Sequence, residues 1–265
     1  MILNFLGTGT SVGVPFLGCD CAVCRSDNPK NKRYRSSVFI DFDRSTSPPR
    51  GLLVDTATEL RLQMIRLGFR QVEGVFYTHE DADHVSGIDD LRPFNFNQNN
   101  PIPIFGDLKT LSSIKTRFAY AFGSESTLEN GSPPRLEPKE IFPGQSFDVA
   151  GEMITPISIH HGRQEILGLR IKNLAYLTDC SSIPDCSRDY LSDLDTLIIS
   201  GLRQTPHPNH LTVDQAVEEI LKVKPKRAFI THISHSLEHE QMNMELAKIA
   251  SCQIQLAYDG LAIEF

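Results

Sequence analysis

Apolar positions along the chain fall into short runs whose period switches repeatedly between two and about 3.6, the signatures of strand and helix. The opening apolar run, residues 1–6, passes directly into Gly7-Thr8-Gly9-Thr10 and predicts a first strand. Residues 36–42 alternate as a half-buried strand does. Residues 44–50, rich in Ser and Pro, supply a turn, and residues 51–54 return as a second strand, so a hairpin is predicted. Leu60, Met64 and Leu67 recur at helical spacing with Gly68 as the stop, and residues 74–77 re-enter a sheet. Residues 106–122 predict a mostly helical segment, and the stretch 123–134, rich in Gly, Ser and Pro, predicts a surface loop placed to border an active-site mouth. Later, Val213, Ala216, Val217, Ile220 and Leu221 line one face of a helix with Thr212 as N-cap and Asp214 in its first turn, and a strand at residues 227–230 follows. No linker or solenoid-length repeat interrupts this order, so residues 1–265 are expected to form one domain. Hairpins first, then β-α units in both halves, point to an α/β (α+β) architecture of sheets packed together with helices outside.

Composition narrows the classes. With 265 residues, 40% hydrophobic and 22% charged, the chain can bury a core without covalent staples. A formal net charge of −7 argues against broad binding to nucleic acid, which needs clustered Lys and Arg. The opening run is too short for a signal peptide and lacks a basic flank, and no apolar run approaches the roughly 20 residues that span a bilayer. A cytoplasmic protein without membrane partners is expected. Six cysteines with no export signal point to thiols or metal ligation instead of a disulfide framework. Cys19, Cys21 and Cys24 are packed together, whereas Cys180, Cys186 and Cys252 are scattered.

The densest chemistry lies in His79-Glu80-Asp81-Ala82-Asp83-His84, where a strand runs out into four potential metal ligands. In an extended segment residues i and i+2 face the same way, so His79 and Asp81 reach one ion, and a bend turns Asp83 and His84 towards a second. Imidazole and carboxylate together suit divalent zinc, manganese or iron, and ligands so placed can make a two-metal clamp.

This run resembles the His-x-His-x-Asp-His signature of the metallo-β-lactamase superfamily, with Asp81 standing where the family usually has its second histidine. The flavodiiron branch of that superfamily uses a carboxylate at the same place, and the harder oxygen shifts preference from zinc towards manganese or iron. The resemblance implies a four-layer αββα fold of two packed mixed sheets, and it implies further ligands downstream. They match His161 in Ile159-His160-His161-Gly162, Asp179 after Leu177-Thr178 as a bridge between the ions, and His232 after Thr231. Asp55, after Leu53-Val54, matches the carboxylate that orients the site without binding metal.

Gly18-Cys19-Asp20-Cys21-Ala22-Val23-Cys24 brings three thiols into one loop, at about residues 18–25, and His235 lies three residues beyond His232. Cys3His is a closed structural zinc set, which would tether the amino-terminal loop to the segment carrying His232. Together with Gly7-Thr8-Gly9-Thr10, Gly87-Ile88-Asp89-Asp90-Leu91-Arg92 and the closing Tyr258-Asp259-Gly260, these motifs resemble the branch that contains the phosphoribosyl cyclic phosphodiesterase of the carbon–phosphorus lyase pathway.

That resemblance implies hydrolysis of a small cyclic or nucleotide-like phosphodiester by a metal-bound hydroxide, with Asp83 and His210 as catalytic residues. His210 is the general acid for the leaving group, with His207 as the alternative, and Arg92 and Arg203 are candidate phosphate clamps. The partner is then a small molecule, and a homodimer is compatible with this reading. Three competing functions share the fold or the ligands: an RNA 3′-processing endonuclease, a thioester or lactone hydrolase, and a non-hydrolytic redox or binding protein using Asp81 on iron.

Overall fold

The computed structural model describes all residues except 44, 46, 47, 69, 124–132, 250 and 251. Strand-forming runs assemble in chain order. β1 (Ile2–Gly7), β2 (Ser37–Asp43), β3 (Arg50–Val54), β4 (Gln71–Phe76), β5 (Ile102–Gly106) and β6 (Leu136–Glu140) lie side by side. The second half repeats the pattern with β7 (Phe147–Val149), β8 (Glu152–His161), β9 (Gln164–Ile171), β10 (Leu174–Leu177), β11 (Thr196–Ser200), β12 (Arg227–Thr231) and β13 (Gln253–Leu256). β14 (Ala262–Glu264) crosses back to pair with β1, so each sheet has seven strands among the described residues. Both sheets are mixed. The hairpin strands are antiparallel, as in the β2–β3 pair with Val38 opposite Val54, and β3 to β6 and β10 to β13 run parallel.

Three buried clusters define four layers. Phe5, Ile40, Leu52 and Phe76 of the first sheet meet Ile154, Leu169, Ile198 and Phe229 of the second, forming the core between the sheets. On the outer face of the first sheet, Leu53 and Val75 pack with Leu60 and Met64 and with Leu111 and Ile114 further along. On the outer face of the second, Ile199 and Ile230 pack with Ala216, Ile220, Met242 and Leu246. Each such side chain, withdrawn from water, contributes about 2 kcal/mol. The helices are α1 (Ala22–Arg25), α2 (Leu60–Leu67), α3 (Ala82–Val85), α4 (Arg92–Gln98), α5 (Leu108–Arg117), α6 (Val213–Val223) and α7 (His239–Leu246). None of the described helices is long and apolar enough to cross a membrane.

Local chemistry explains most boundaries. Thr212 caps α6 through a full capping box with Gln215, and Gly68 ends α2 with φ at 89°. The helix expected over residues 106–122 is shorter and begins later: Gly106 closes β5, the Asp107 side chain accepts a 2.7 Å hydrogen bond from Thr110 N, and α5 stops at Arg117 before a 3-10 turn at Ala119–Phe122. The cap, invisible to a hydrophobic pattern, sets that start. Most of the loop expected at 123–134 and part of the turn at 44–50 lie outside the described residues.

Parallel strands of both sheets end on one edge, where the chain leaves β3, β4, β10 and β12 at Asp55, His79, Asp179 and His232. Three of these residues take left-handed backbone, with φ of 61° at Asp55, 57° at Asp179 and 56° at His232. Left-handed non-glycine residues cost about 1 kcal/mol or more each, and they turn side chains sharply at the strand ends. The loop after β3 is clipped to α3 by Thr56, whose N–H donates to His84 O (2.8 Å) and whose carbonyl accepts from Gly87 N (2.9 Å). A Cβ on Gly87 would overlap the Ala57 carbonyl oxygen. Gly87→Ala is therefore expected to lower stability by about 2 kcal/mol, read as a shift in the urea unfolding midpoint; an unchanged midpoint would contradict the close approach.

Candidate metal centre

The segment after β4 stays extended through Asp81 and then turns into α3, closed by His84 N donating to Asp81 O at 2.9 Å. The extended part places His79 Nε2 3.5 Å from Asp81 Oδ2, and the turn sends His84 Nε2 to within 3.2 Å of Asp83 Oδ2. From the second sheet, His161 Nε2 approaches Asp81 Oδ2 at 3.8 Å. Asp179 lies between the two groups: Oδ1 is 3.4 Å from His84 Nε2 and 3.0 Å from His232 Nδ1, and Oδ2 is 4.0 Å from His79 Nε2. His79, Asp81 and His161 form one set able to surround an ion; His79, His84 and Asp179 form another.

The far side of each ring fixes its orientation. Asp55 Oδ2 accepts from His84 Nδ1 at 2.7 Å. The same carboxylate accepts from Thr78 N and Thr78 Oγ1, both at 2.9 Å, and that hydroxyl also contacts His79 Nδ1 at 2.9 Å. His161 Nδ1 donates to the carbonyls of Asp179 and Asn209 at 2.9 and 3.0 Å. Each of these bonds occupies Nδ1 and leaves Nε2 directed inward. Thr78 and the Asn209 carbonyl escaped the sequence reading; Thr78 is signalled only by its place before His79.

Inside, the ligand-type atoms lack partners. His79 Nε2, Asp83 Oδ2, His84 Nε2 and His232 Nε2 are buried and make no hydrogen bond. Buried polar groups are nearly always satisfied, so the unpartnered His79 Nε2, Asp83 Oδ2 and His84 Nε2, gathered beside Asp179, fit divalent cations. Charge agrees. Burial raises the Asp83 carboxyl, but His84 beside it prevails and holds it at about 2. Asp179 is likewise kept ionised: burial opposes the charge, and His232 and His84 more than offset it. Conversely, burial disfavours a charged His84, yet Asp83, Asp179 and Asp55 raise its proton affinity well above the usual imidazole range. The centre is a well of negative potential that a proton or a metal ion can fill.

Residues 50–233 match the Beta-lactamase superfamily domain, and a crystal structure of a diphosphatase from the PhnP family is 39% identical, with a TM-score of 0.88 over 100% of this chain and 97% of that one. The chain belongs to the PhnP family of the beta-lactamase superfamily. It has the metallo-β-lactamase fold, and the four-layer architecture agrees. The zinc-bound PqqB of Methylobacterium extorquens shares the fold at 18% identity and a TM-score of 0.79, with both chains fully covered. A Porphyromonas gingivalis protein named octanoyltransferase is 35% identical over 97% of this chain and 50% of its own length, so this chain spans half of that relative.

Around the superfamily centre, His210 packs against His161, His207 and His232 at ring-centroid distances of 4.7, 4.9 and 4.8 Å. One of its ring nitrogens lies within 4.8 Å of ligand atoms of His161 and Asp179. Burial, reinforced by His232, pushes its pKa down to about 3. His207 sits further out, and burial and Arg203 lower it as well. The two arginines are committed elsewhere: Arg92 pairs with Asp89, and Arg203 donates to the carbonyls of Thr205 and Pro206 at 3.0 and 2.8 Å.

Beside this edge, Cys19, Cys21 and Cys24 gather about His235 Nδ1, with sulfur–nitrogen distances of 3.3, 3.5 and 3.5 Å. A tetrahedral zinc with ordinary bond lengths separates S and N by about 3.6 Å, so the set fits that ion. The Cys24 N–H lowers the Cys21 thiol to about 6, and burial lifts Cys24 to about 11. Asp55→Asn removes the acceptor that fixes His84 and Thr78. It should weaken metal binding about 10–100-fold while leaving a folded protein, measured by manganese or zinc titration; unchanged affinity would deny Asp55 an orienting role.

Proposed function

We propose that this chain hydrolyses a P–O bond in a small phosphodiester, cyclic or nucleotide-like, or in a diphosphate ester, with two divalent ions at the strand-end centre. The observation that carries the reading is the convergence of imidazoles from both sheets on Asp179, with His79 Nε2, His84 Nε2 and the nearby Asp83 Oδ2 lacking hydrogen-bond partners. The 39% identity to a PhnP-family diphosphatase supports the substrate class. His79, Asp81 and His161 hold one ion; Asp83, His84 and His232 hold the other; Asp179 lies between. With three carboxylates in the set, manganese or iron suits the centre at least as well as zinc. When bound, the ions supply an activated water and neutralise phosphoryl oxygens.

The chain's own groups do the rest. Asp83, kept ionised, accepts a hydrogen bond from the attacking water. His210 is neutral in its own surroundings. An anionic phosphoryl group beside it would raise its proton affinity, and on this reading His210 supplies the proton to the leaving oxygen, with His207 as the alternative donor. The half-buried His210 ring packs against the buried His161 and His232 on that side. Cys19, Cys21, Cys24 and His235 hold a separate structural zinc.

A second reading, cleavage of an acyl thioester, draws on the octanoyltransferase relative, although the match fills only half of that protein. One assay separates the two. Manganese-loaded protein should cleave bis(4-nitrophenyl) phosphate and leave an octanoyl thioester intact, and Asp179→Ala should lower phosphodiester turnover at least about a thousandfold. Thioester cleavage without phosphodiester cleavage would reverse the ranking. Cys21→Ser should remove one zinc per chain by elemental analysis while the strand-end ions are retained; an unchanged zinc count would refute the separate site.

A further inference from the structure

β8 and β9 are joined by the two-residue turn Gly162-Arg163, with His161 opposite Gln164. The turn is fixed on every side. Gly162 takes φ of 61°, its N–H donates to Ser181 Oγ at 2.9 Å, and a Cβ there would overlap Asn209 Oδ1. The His207–His210 loop therefore lies against one flank. On the other, Lys109 Nζ donates to Gln164 Oε1 at 2.8 Å and pairs with Glu80 Oε1 at 2.6 Å. Arg163 consequently stands two residues beyond His161, on a rigid turn at the rim of the metal centre, between the histidine loop and α5.

Among the described residues, the other cations around this rim are occupied. Lys109 is neutralised by Glu80; Arg117 donates to the Glu80 carbonyl and to Ser113 Oγ at 3.0 Å; Arg203 holds its own loop; Arg92 is paired with Asp89. Arg163 is exposed, and its side chain makes no hydrogen bond or ion pair with any described residue. Guanidinium groups complement phosphate through two parallel N–H donors, and one held ready on a rigid turn loses little by binding.

We propose that Arg163 binds the phosphoryl group adjacent to the one under attack, so that the site favours substrates with two linked phosphoryl groups over those with one. This rests on the phosphoryl-hydrolase reading above. The phosphoryl group under attack would be held at the strand-end centre, and the neighbouring one, carrying at least one further negative charge, would meet Arg163 at the mouth. Arg163 is a specificity residue in this scheme and takes no part in bond making.

The test compares AMP with α,β-methylene-ADP, which adds a second phosphoryl group through a bridge that water does not cleave. Binding of each to the metal-loaded wild type, Arg163→Gln and Arg163→Lys is measured by calorimetry. The wild type should prefer the methylene analogue; Arg163→Gln should cut that preference about tenfold, and Arg163→Lys should keep part of it. A preference unchanged in Arg163→Gln, equal losses for both ligands, or no binding of either to the wild type would overturn the assignment. Failure of the hydrolase reading alone looks different: the preference changes as expected, yet no phosphate ester is cleaved.

Discussion

Asp55, Asp83 and Asp179 are brought with His79, His84 and His232 into one buried space, where ionised carboxylates at close range repel one another and have lost most of their hydration. Low effective dielectric makes such a collection costly unless opposite charge is supplied. In the protein alone that demand falls on His84, which touches three carboxylates and whose proton affinity they raise. A divalent cation would satisfy the same demand and would also give the unpartnered nitrogen and oxygen atoms a partner. The rest of the architecture can be understood as holding these groups where their repulsion is useful.

Several strained or crowded features follow from that constraint. Left-handed backbone at Asp55, Asp179 and His232 ends three strands abruptly and swings each side chain into the centre. Gly87 lets the α3 segment lie directly on the loop after β3, so the Asp55–His84 contact is fixed by backbone as well as by side chain. The large apolar core between the sheets supplies the stability against which this strain is set. The neighbouring cysteine set grips the same short stretch, since His232 and His235 are separated by two residues whose backbone is bonded to Thr8, Thr10 and Leu202. Disturbance at the cysteines therefore has a direct mechanical route to His232.

Asp81 gives this centre its individuality. It is the more exposed member of its set, and His79 heads the interactions that hold its carboxyl below the usual range. A short carboxylate in place of an imidazole adds negative charge beside His79 and His161, and an oxygen donor suits a harder cation than a nitrogen donor does. The rim then matters for the substrate: most of its cations are already paired, so an anionic ligand meets few groups free to recognise it.

The hydrophobic periodicity of β2, α2 and α6 was sufficient to place those elements, because strand and helix periods are local properties. The ligand run from His79 to His84 and the triplet Cys19, Cys21 and Cys24 were equally legible, since neighbours in sequence must be neighbours in space. His161, Asp179 and His232 were recognisable only through family resemblance, and their meeting around one point required two sheets to close on each other. Which charges were available was beyond the sequence. Arg92 and Arg203 looked like clamps but are engaged by Asp89 and by nearby carbonyls, whereas Arg163 drew no notice and is uncommitted. Side-chain pairing depends on distances and solvent exclusion between segments far apart in the chain, and no spacing rule encodes those; they are decided when the tertiary structure forms.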